Sequence, residues 1–304
     1  MLKVAVILCT CNSEKYILDQ LQSIIDQKDC QIDIYISDDF SDDNTLEIVS
    51  KFFNNKEYYT NIIDGPNKGF AVNFISNLRR VNNFYDLYAF SDHDDVWKKN
   101  KIQEAYKEFI QYPRNEPFLY CSRTTLVREN LKVFGASKYF KKRPSFGNAL
   151  VQSIAGGNTM IFNGEFKKYL DRVDLNKRII SHDWLSYILI TFIGGNIVYK
   201  KKSHTMYRIH ELNKVGSNKG FIAFWKRVAM VFNGQWSLFF KYNLQHLDDF
   251  SGLNDNEDTL KDFKEIINER NIIKSLLIFL RSKIYRQTFI GNLSLIIAII
   301  LRKI

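Results

Sequence analysis

The chain has 304 residues, of which 45% are apolar and 14% aromatic, and this composition excludes an intrinsically disordered protein. The formal net charge is +10, and residues 200–304 carry nearly all of the excess, with 18 basic and 9 acidic side chains. A basic region of this kind indicates an anionic partner, which is nucleic acid, an anionic membrane or an acidic substrate.

The four cysteines predict neither a zinc site nor a disulfide framework. No CxxC pair or His/Cys cluster has zinc-ligand spacing. Cys9 and Cys11 are predicted to lie on the first strand, where an i, i+2 pair does not readily form a disulfide, so with Cys30 and Cys121 we expect buried, reduced thiols. The segment MLKVAVILCTCN lacks a small-residue cleavage site, so a strand is favoured over a signal peptide. We therefore expect a cytoplasmic protein.

The first 110 residues alternate between strand and helix patterns. Apolar runs predict strands at 3–9, 32–37, 59–65 and 86–90. Helical spacing predicts helices at 16–27, from about Asn44 with Ser41 or Asp42 as the cap, at 70–80 and at 94–109. This β-α-β-α-β-α-β order predicts an α/β domain with a mostly parallel sheet.

After residue 115 the pattern is looser. FLYCSRTTLV and GGNTMIFN are predicted strands, SHDWLSYILITF is a predicted helix, and GNIVYKKKSHTMYRIH is strand-like. From about 216 onward the chain is predicted to be helical, aromatic and basic, and residues 221–242 contain no acid. Residues 271–304 hold six basic residues, no acid and the run LSLIIAII, which is too short to span a bilayer.

Two clusters of carboxylates follow predicted strands, where ligands bind in parallel sheets. In SDHDD, Asp94 and Asp95 suit a helix cap, whereas Asp92 and Asp94 suit a hard divalent cation such as Mg²⁺ or Mn²⁺. In SDDFSDD, the acids are either ordinary loop residues, or Asp38 or Asp39 binds a nucleotide base or ribose. The residues alone leave both pairs of alternatives open.

The motifs TCNSEKYILDQLQSIIDQ, ISDDFSDDNT, GPNKGFAVNF and FSDHDDVW occur in this order, and together they resemble the nucleotide-sugar half of family-2 glycosyltransferases. SDHDDVW, SHDW and YRIH are similar to segments of bacterial polysaccharide rhamnosyltransferases. The resemblance covers roughly residues 1–215. It implies an α/β GT-A fold, a nucleotide-diphospho-sugar transferase fold with a mostly parallel central sheet flanked by helices, followed by a C-terminal helical extension.

The resemblance also implies a donor site and a metal. Asp39 would contact the base, and Asp92 and Asp94, with His210 in support, would hold Mn²⁺ or Mg²⁺. His93 stands where related sequences often have Gln or a small residue, and Cys11 replaces a usual Tyr in one wall of the pocket. The implied nucleotide-sugar residues are Thr10, Asn12, Glu14, Asp38, Asp39, Asn67, Lys68, Gly69, Asp92 and His93.

On the acceptor side the resemblance implies a glycine-rich turn at Gly156 and Gly157 and a general base at Asp183, with Trp184 as an aromatic wall. His182 is a second candidate base. From the residues alone, a cap at Ser181 or Asp183 for the following apolar helix is the simpler interpretation. The implied reaction is a single in-line displacement that inverts the anomeric centre.

We therefore expect a catalytic domain at 1–215, with a nucleotide-sugar half at 1–115 and an acceptor half at 116–215. Residues 216–304 would contact a membrane surface or form a dimer interface. The expected enzyme is an inverting, metal-dependent hexosyltransferase that moves a sugar from dTDP-rhamnose or a UDP-hexose to a lipid-linked bacterial surface polysaccharide, at the inner face of the cell membrane.

Other partners and functions are less favoured. Nucleic acid is not expected, because residues 1–199 are nearly neutral and contain no binding motif. The alternatives are a sugar nucleotidyltransferase, whose usual GxGxR-type loop is absent after the first strand, and a non-catalytic membrane-associated assembly protein with the same fold.

Overall fold

A computed structural model describes residues 1–54, 56–210, 233–250, 252 and 256–304. The first third of the chain forms β1 (Leu2–Thr10), α1 (Ile17–Ile25), β2 (Cys30–Asp38), α2 (Thr45–Phe53), β3 (Thr60–Asp64), α3 (Phe70–Arg79), β4 (Leu87–Ser91), β5 (Val96–Trp97) and α4 (Lys101–Phe109). The middle third forms β6 (Phe118–Ser122), β7 (Thr125–Val127), β8 (Val133–Ala136), α5 (Phe146–Ala149), β9 (Ile161–Phe162), α6 (Gly164–Leu170), α7 (His182–Phe192), β10 (Asn196–Lys200) and β11 (Thr205–Arg208). The described C-terminal residues form α8 (Gln235–Leu247), α9 (Glu257–Asn268), α10 (Ile272–Arg281) and α11 (Phe289–Ile300).

The main sheet has seven strands in the order β10-β6-β9-β4-β1-β2-β3, and β9 alone runs antiparallel to its neighbours. The interior strand β1, which lies between β4 and β2, is buried on both faces. Ala5, Ile7 and Cys9 pack into one hydrophobic core, and Val4, Val6 and Leu8 pack into another on the opposite face. A continuous apolar run suits this position, because helices cover both sides of the sheet. The predicted mostly parallel α/β sheet is confirmed.

The polar loops after β1, β2 and β4 meet at one edge of this sheet. β1 lies between β4 and β2 and is parallel to both, so the three strands end side by side, with Leu8 opposite Ser91 and Thr10 opposite Asp38. Ligand sites of open α/β sheets lie at this edge. The predicted convergence of the three loops is confirmed.

The helix predicted from residue 94 is wrong at its start, because α4 begins at Lys101. Val96 and Trp97 instead form β5, which pairs antiparallel with β11 in a second, four-stranded sheet of order β5-β11-β7-β8. Asp94 and Asp95 therefore lie in a loop between two strands. The alternative in which they cap a helix is wrong.

Two smaller predictions are also wrong. Helix α2 is not capped by Ser41 or Asp42, because the Asp43 carboxylate accepts the Thr45 N–H at 2.9 Å and the Ser41 hydroxyl turns toward Asp38. Cys11 lies beyond the end of β1 and is exposed, whereas Cys9 and Cys121 are buried and Cys30 is half-buried. Cys9, Cys30 and Cys121 are free thiols.

The C-terminal helices pack on the sheet rather than on a core of their own. Phe240 of α8, Phe263 of α9, Ile278 of α10 and Leu295 of α11 belong to the same hydrophobic cluster as Phe162 of β9. The division into 1–215 and 216–304 stays a prediction, since its boundary and residues 221–232 lie outside the described residues. Among the described residues, no helix combines the length and apolar character that crossing a bilayer requires.

Candidate active site

The loops after β1 and β2 are joined by buried hydrogen bonds. The Thr10 hydroxyl donates to Asp38 Oδ1 at 2.7 Å, and Asp38 also accepts the backbone N–H and the hydroxyl of Ser41, at 2.8 and 2.7 Å. Thr10 and Asp38 are both 2% exposed. These two predicted donor-site residues therefore hold the loops together from beneath and do not face an open pocket.

Two other predicted residues fix the same loops from the solvent side. Asn12 adopts a left-handed backbone with φ of 49°, and its Oδ1 accepts the Asp42 N–H at 2.9 Å. Glu14 Oε2 accepts both the backbone and side-chain N–H groups of Asn44, at 3.1 and 2.8 Å, beside the start of α2. Glu14 thereby supports the positive end of that helix.

Asp39 connects the second loop to the loop before α3. Its carboxylate accepts the Asn67 N–H at 2.6 Å and the Gly69 N–H at 3.3 Å. A Cβ on Gly65 would lie 2.8 Å from Asp39 Oδ1, and Gly69 has a φ of 84°, so each position requires glycine for a separate reason. The side chain of Lys68, between Asn67 and Gly69, is exposed.

The loop after β4 concentrates negative charge. Ligand oxygens of Asp92, Asp94 and Asp95 all lie within 4.8 Å of one another. Desolvation, then the charges of Asp94 and Asp183, raise the pKa of Asp92 to about 8. Such a cluster of hard oxygens fits a divalent cation such as Mn²⁺ or Mg²⁺, which would offset the mutual repulsion.

His210 reaches this cluster from the end of β11. Its Nε2 lies 2.9 Å from Asp94 Oδ2, and its ring lies 4.8 Å from that of Tyr16. Burial is the largest single influence on the pKa of Asp94 and acts to raise it, but the hydrogen bond with His210 and the charges of His93 and His210 together lower the pKa. His93 is half-buried, and its charge also lowers the pKa of Asp94. The structure thus brings together Asp92, Asp94 and His210, the three predicted metal ligands.

Sequence reasoning missed a buried network behind the cluster. Asp95 is fully buried and accepts hydrogen bonds from Asn158 Nδ2 and, at 3.2 Å, from the Arg208 N–H. The Lys101 ammonium is 1% exposed, donates to the Asn158 carbonyl at 2.5 Å and lies 3.6 Å from the centre of the Trp97 ring. Burial lowers the pKa of Lys101, although Asp95 and Asp92 act in the opposite direction.

Arg208 fixes the acidic loop in place. Its Nε donates to the Asp94 carbonyl at 2.9 Å, and its two terminal nitrogens donate to the Glu129 carbonyl and to Asp19 Oδ2, each at 2.7 Å. The guanidinium also lies over the Tyr16 ring, 4.5 Å from its centre. Because each nitrogen has a protein acceptor, this side chain positions the loop.

Of the predicted acceptor-side residues, His182 lies against the glycine-rich turn of Gly156 and Gly157. The His182 ring is buried, stacks on Phe74 at 3.9 Å, and lies so close to Gly157 that a Cβ there would be 2.1 Å from Nε2. Neither ring nitrogen has a hydrogen-bond partner within the part of the chain that the structure describes. Gly156 forms the turn, because its carbonyl accepts the Thr159 N–H at 3.0 Å. Burial lowers the pKa of His182 to about 4, which makes this imidazole a weak base.

Asp183 lies in the first turn of α7 and is half-buried. Its Oδ1 accepts the Trp184 N–H at 2.7 Å, and Ser181 occupies the cap position without a side-chain hydrogen bond. The Trp184 indole N–H donates to the Ala149 carbonyl at 2.7 Å. The Asp183 charge contributes to the raised pKa of Asp92, and the ring of the neighbouring His182 packs 4.9 Å from that of Phe90 in β4, the strand that leads into the acidic loop.

Residues 5–204 match the family model described as "Glycosyl transferase family 2". That span covers about two-thirds of the chain and every predicted site residue except His210. The chain belongs to glycosyl transferase family 2. The predicted enzyme class, a glycosyltransferase, is confirmed in preference to a sugar nucleotidyltransferase.

Individual proteins support the same conclusion. The dTDP-rhamnosyl transferase RfbG of Shigella flexneri is 34% identical over 235 residues, which are 74% of this chain and 79% of that protein. The structure of S. aureus TarS 1–349 in complex with UDP has a TM-score of 0.54 at 15% identity, over 90% of this chain and 77% of that one. The mannosyltransferase PcManGT from Pyrobaculum calidifontis, in complex with GDP-Man and Mn²⁺, has a TM-score of 0.54 at 15% identity, over 99% and 86%. The predicted GT-A fold and the similarity to rhamnosyltransferases are confirmed.

Replacing Gly157 with alanine is expected to destabilise this glycosyltransferase by about 1–3 kcal/mol, the usual cost of overpacking a core. The new methyl group would overlap His182, whose ring is held against Phe74 and Phe90. The control is Gly164→Ala, where the added Cβ comes no closer than 3.8 Å to another heavy atom. Urea unfolding at pH 7 measures both variants, and equal stabilities would contradict the packing described for the turn.

The buried His182 also predicts a pH dependence of stability. Its pKa is about 4 in the folded chain, below its ordinary value of 6.5. The folded state therefore favours the neutral ring, so this contribution to stability is complete above about pH 6.5 and is lost as the pH falls toward 4. Between pH 7 and pH 5 we expect the wild type to lose about 2 kcal/mol more free energy of unfolding than His182→Leu does. Urea titrations at the two pH values measure this difference, and equal losses would contradict it. His204, whose pKa is also lowered to about 4, is present in both proteins.

Proposed function

We propose that this family-2 enzyme is an inverting, metal-dependent glycosyltransferase of bacterial surface polysaccharide synthesis. The observation that carries the proposal is the arrangement at the carboxyl edge of the sheet. There, Asp92 and Asp94 lie together with His210 beyond the end of β4, beside the strands that lead into the donor loops, and the charge of Asp183 is one cause of the raised pKa of Asp92. We place the metal-bound diphosphate at this cluster and assign Asp183 as the nearby carboxylate that accepts a proton.

On the donor side we assign the nucleotide to the rim formed by Asp39, Asn67, Lys68 and Gly69. The Asp39 oxygens accept backbone N–H groups there, and carboxylate oxygens have further lone pairs for the donors of a base. The exposed ammonium of Lys68 suits the negative charge of a diphosphate. Thr10, Asn12, Glu14 and Asp38 act by holding the loops that shape this rim.

We assign the metal to Asp92 and Asp94, with His210 in support and His93 at the border of the donor pocket. When bound, Mn²⁺ or Mg²⁺ would neutralise the charge that develops on the departing diphosphate. Arg208 holds the main chain of Asp94, and the network of Lys101, Asn158 and Asp95 holds the base of the loop.

Asp183 is the proposed general base. It takes the proton of the acceptor hydroxyl while the oxygen attacks the anomeric carbon on the face opposite the diphosphate, so the configuration inverts. Its position in the first turn of α7 fixes the carboxylate, whereas the low pKa and buried ring of His182 disfavour the alternative base. Gly156, Gly157 and Trp184 would border the acceptor.

The identity of the donor is proposed from a similar protein, and the identity of the acceptor from the proposed role in surface polysaccharide synthesis. Similarity to a dTDP-rhamnosyl transferase favours dTDP-rhamnose over a UDP-hexose as the donor. The acceptor is proposed to be a lipid-linked oligosaccharide at the inner face of the cell membrane, which requires a peripheral contact with that membrane. A homodimer is the alternative use of the C-terminal region.

Thermal unfolding of the protein with a panel of donors tests this assignment. The panel comprises dTDP-rhamnose, UDP-galactose, UDP-glucose, UDP-N-acetylglucosamine and GDP-mannose, each with Mn²⁺ and with EDTA. We expect dTDP-rhamnose to raise the Tm most, and only with Mn²⁺. Stabilisation by no donor would contradict the proposal. NMR of the disaccharide product would test inversion, and retention of the anomeric configuration would exclude Asp183 as a simple general base.

A further inference from the structure

Helices α10 and α11 expose an unusual amount of apolar side chain. On α10, Ile273, Leu277 and Leu280 follow i, i+4, i+7 spacing and are 70%, 60% and 71% exposed. On α11 and just after it, Phe289 is 84% and Ile290 64% exposed, and four further apolar residues, Leu293, Ile297, Ile300 and Leu301, are 39–46% exposed. These nine side chains form one solvent-facing stripe on each helix.

The two helices form an antiparallel pair, here called the C-terminal hairpin, residues 271–304. The end of α11 lies beside the start of α10, because Arg302 donates to the Arg270 carbonyl. The opposite stripes, which include Ile278, Phe279, Leu295 and Ile299, are buried in the main core. The inner faces are therefore fixed by packing, and the exposed faces are neighbours on one side of the molecule.

All charged side chains of the hairpin are cationic, and two of them pair with acids that precede it: Lys274 with Glu265 and Glu269, at 3.1 and 2.7 Å, and Arg281 with Asp262, at 4.0 Å. Residues 271–304 contain Lys274, Arg281, Lys283, Arg286, Arg302 and Lys303 and no acidic residue. Lys283 and Arg302 are exposed at opposite ends, beside the turn and at the chain's end, and Arg281 is 67% exposed. An apolar stripe framed by cations is the pattern of a helix that lies in the interface of an anionic bilayer.

We propose that the C-terminal hairpin is a lipid-binding surface that lies flat on an anionic bilayer. At 10 and 12 residues the helices are about 15 and 18 Å long, too short to span the hydrocarbon core. A second copy of the chain is a poorer occupant, because a two-fold dimer would place this cationic face against itself. Anionic headgroups match its charge and acyl chains match its exposed side chains.

The surface is connected to the acceptor side of the site. In the turn of the hairpin, the Tyr285 carbonyl accepts Asn148 Nδ2 at 2.9 Å, and the hydroxyl of Tyr285 donates to the Arg143 carbonyl at 2.8 Å. Asn148 belongs to α5, whose Ala149 carbonyl also receives the Trp184 indole next to Asp183. A membrane-bound hairpin would thus be linked through α5 to the start of α7, which carries Asp183. This link to the acceptor rests on the proposed function, whereas lipid binding does not.

Flotation with vesicles tests the proposal. The full chain is mixed with vesicles of phosphatidylglycerol and phosphatidylcholine at 3:7, or of phosphatidylcholine alone. We expect the wild type to bind the anionic vesicles, to bind neutral ones at least about 10-fold more weakly, and to dissociate at high salt. The variant Leu277→Ser/Phe289→Ser should bind the anionic vesicles about 10–100-fold more weakly, since it loses two exposed anchors.

The matched control is Phe84→Ser/Phe134→Ser, which removes two apolar side chains that are 62% and 48% exposed outside the hairpin. This control should bind vesicles like the wild type. Equal binding by both double variants, or no binding by the wild type, would overturn the proposal. The proposal would also be overturned if the wild type did not bind vesicles and light scattering showed that the wild type is a dimer and Leu277→Ser/Phe289→Ser a monomer. Donor-induced stabilisation, measured without lipid on the same proteins, separates a failure of this inference from a failure of the proposed reaction.

Discussion

Replacing Asp183 with asparagine is expected to lower kcat by about 10²–10⁴-fold, the usual contribution of a general base. The amide keeps the size of the side chain and can still accept the Trp184 N–H, so the start of α7 should persist. Donor affinity should stay within a few-fold of the wild type, because the donor rim and the metal cluster are intact. Steady-state transfer and titration with dTDP-rhamnose and Mn²⁺ separate the two quantities.

The control for this variant is Glu57→Gln, which changes an exposed carboxylate before β3, at the opposite edge of the sheet. It should leave kcat and donor affinity unchanged. If Asp183→Asn retained more than a tenth of wild-type kcat, Asp183 would be a helix-start residue rather than the base. His182 would then need testing, despite its buried ring.

The second large effect is expected from Asp94→Ala. It removes a proposed direct ligand, so Mn²⁺-dependent donor affinity should fall by more than the roughly 10–100-fold that loss of an outer-sphere partner costs. Repulsion with Asp94 is the second largest cause of the raised pKa of Asp92, so that pKa should also fall in the variant. Calorimetric titration of Mn²⁺ and nucleoside diphosphate measures the affinity, and carboxyl NMR measures the pKa.

The matched control is Asp258→Ala, which removes an exposed carboxylate in the first turn of α9. It should titrate like the wild type. Undiminished Mn²⁺-dependent affinity in Asp94→Ala would show that the metal, if bound, is held elsewhere. A folded Asp94→Ala variant that binds the donor with EDTA as tightly as the wild type does with Mn²⁺ would contradict the proposed use of the acidic loop.

The sequence predicts most of the sheet because its strands are encoded locally. Runs such as KVAVILC can be buried on both faces only in a central strand, and three polar loops follow such strands. The start of α4 is different, because Val96 and Trp97 pair with β11, more than 100 residues later. Nothing within the local window DDVWKKNKIQEAYKEF distinguishes that pairing from an earlier helix start.

The buried network behind the metal cluster was hidden for a related reason. Lys101 stands in the run KKNK, which is typical of a solvated helix start, whereas in the structure it is buried against the Trp97 ring and donates to the carbonyl of Asn158, 57 residues away. The C-terminal helices show the same limit. Their composition indicates amphipathic, basic segments, but which stripe is buried and which is exposed depends on packing against distant strands.

The most direct test of the proposed function is the release of nucleoside diphosphate from dTDP-rhamnose, followed with Mn²⁺ and with EDTA, for the wild type and Asp94→Ala. Water replaces the acceptor in this reaction, so turnover is expected to be slow. We expect metal-dependent release by the wild type and none by the variant. Absence of both release and donor binding in the wild type would contradict the account, and would favour the alternative of a non-catalytic assembly protein with the same fold.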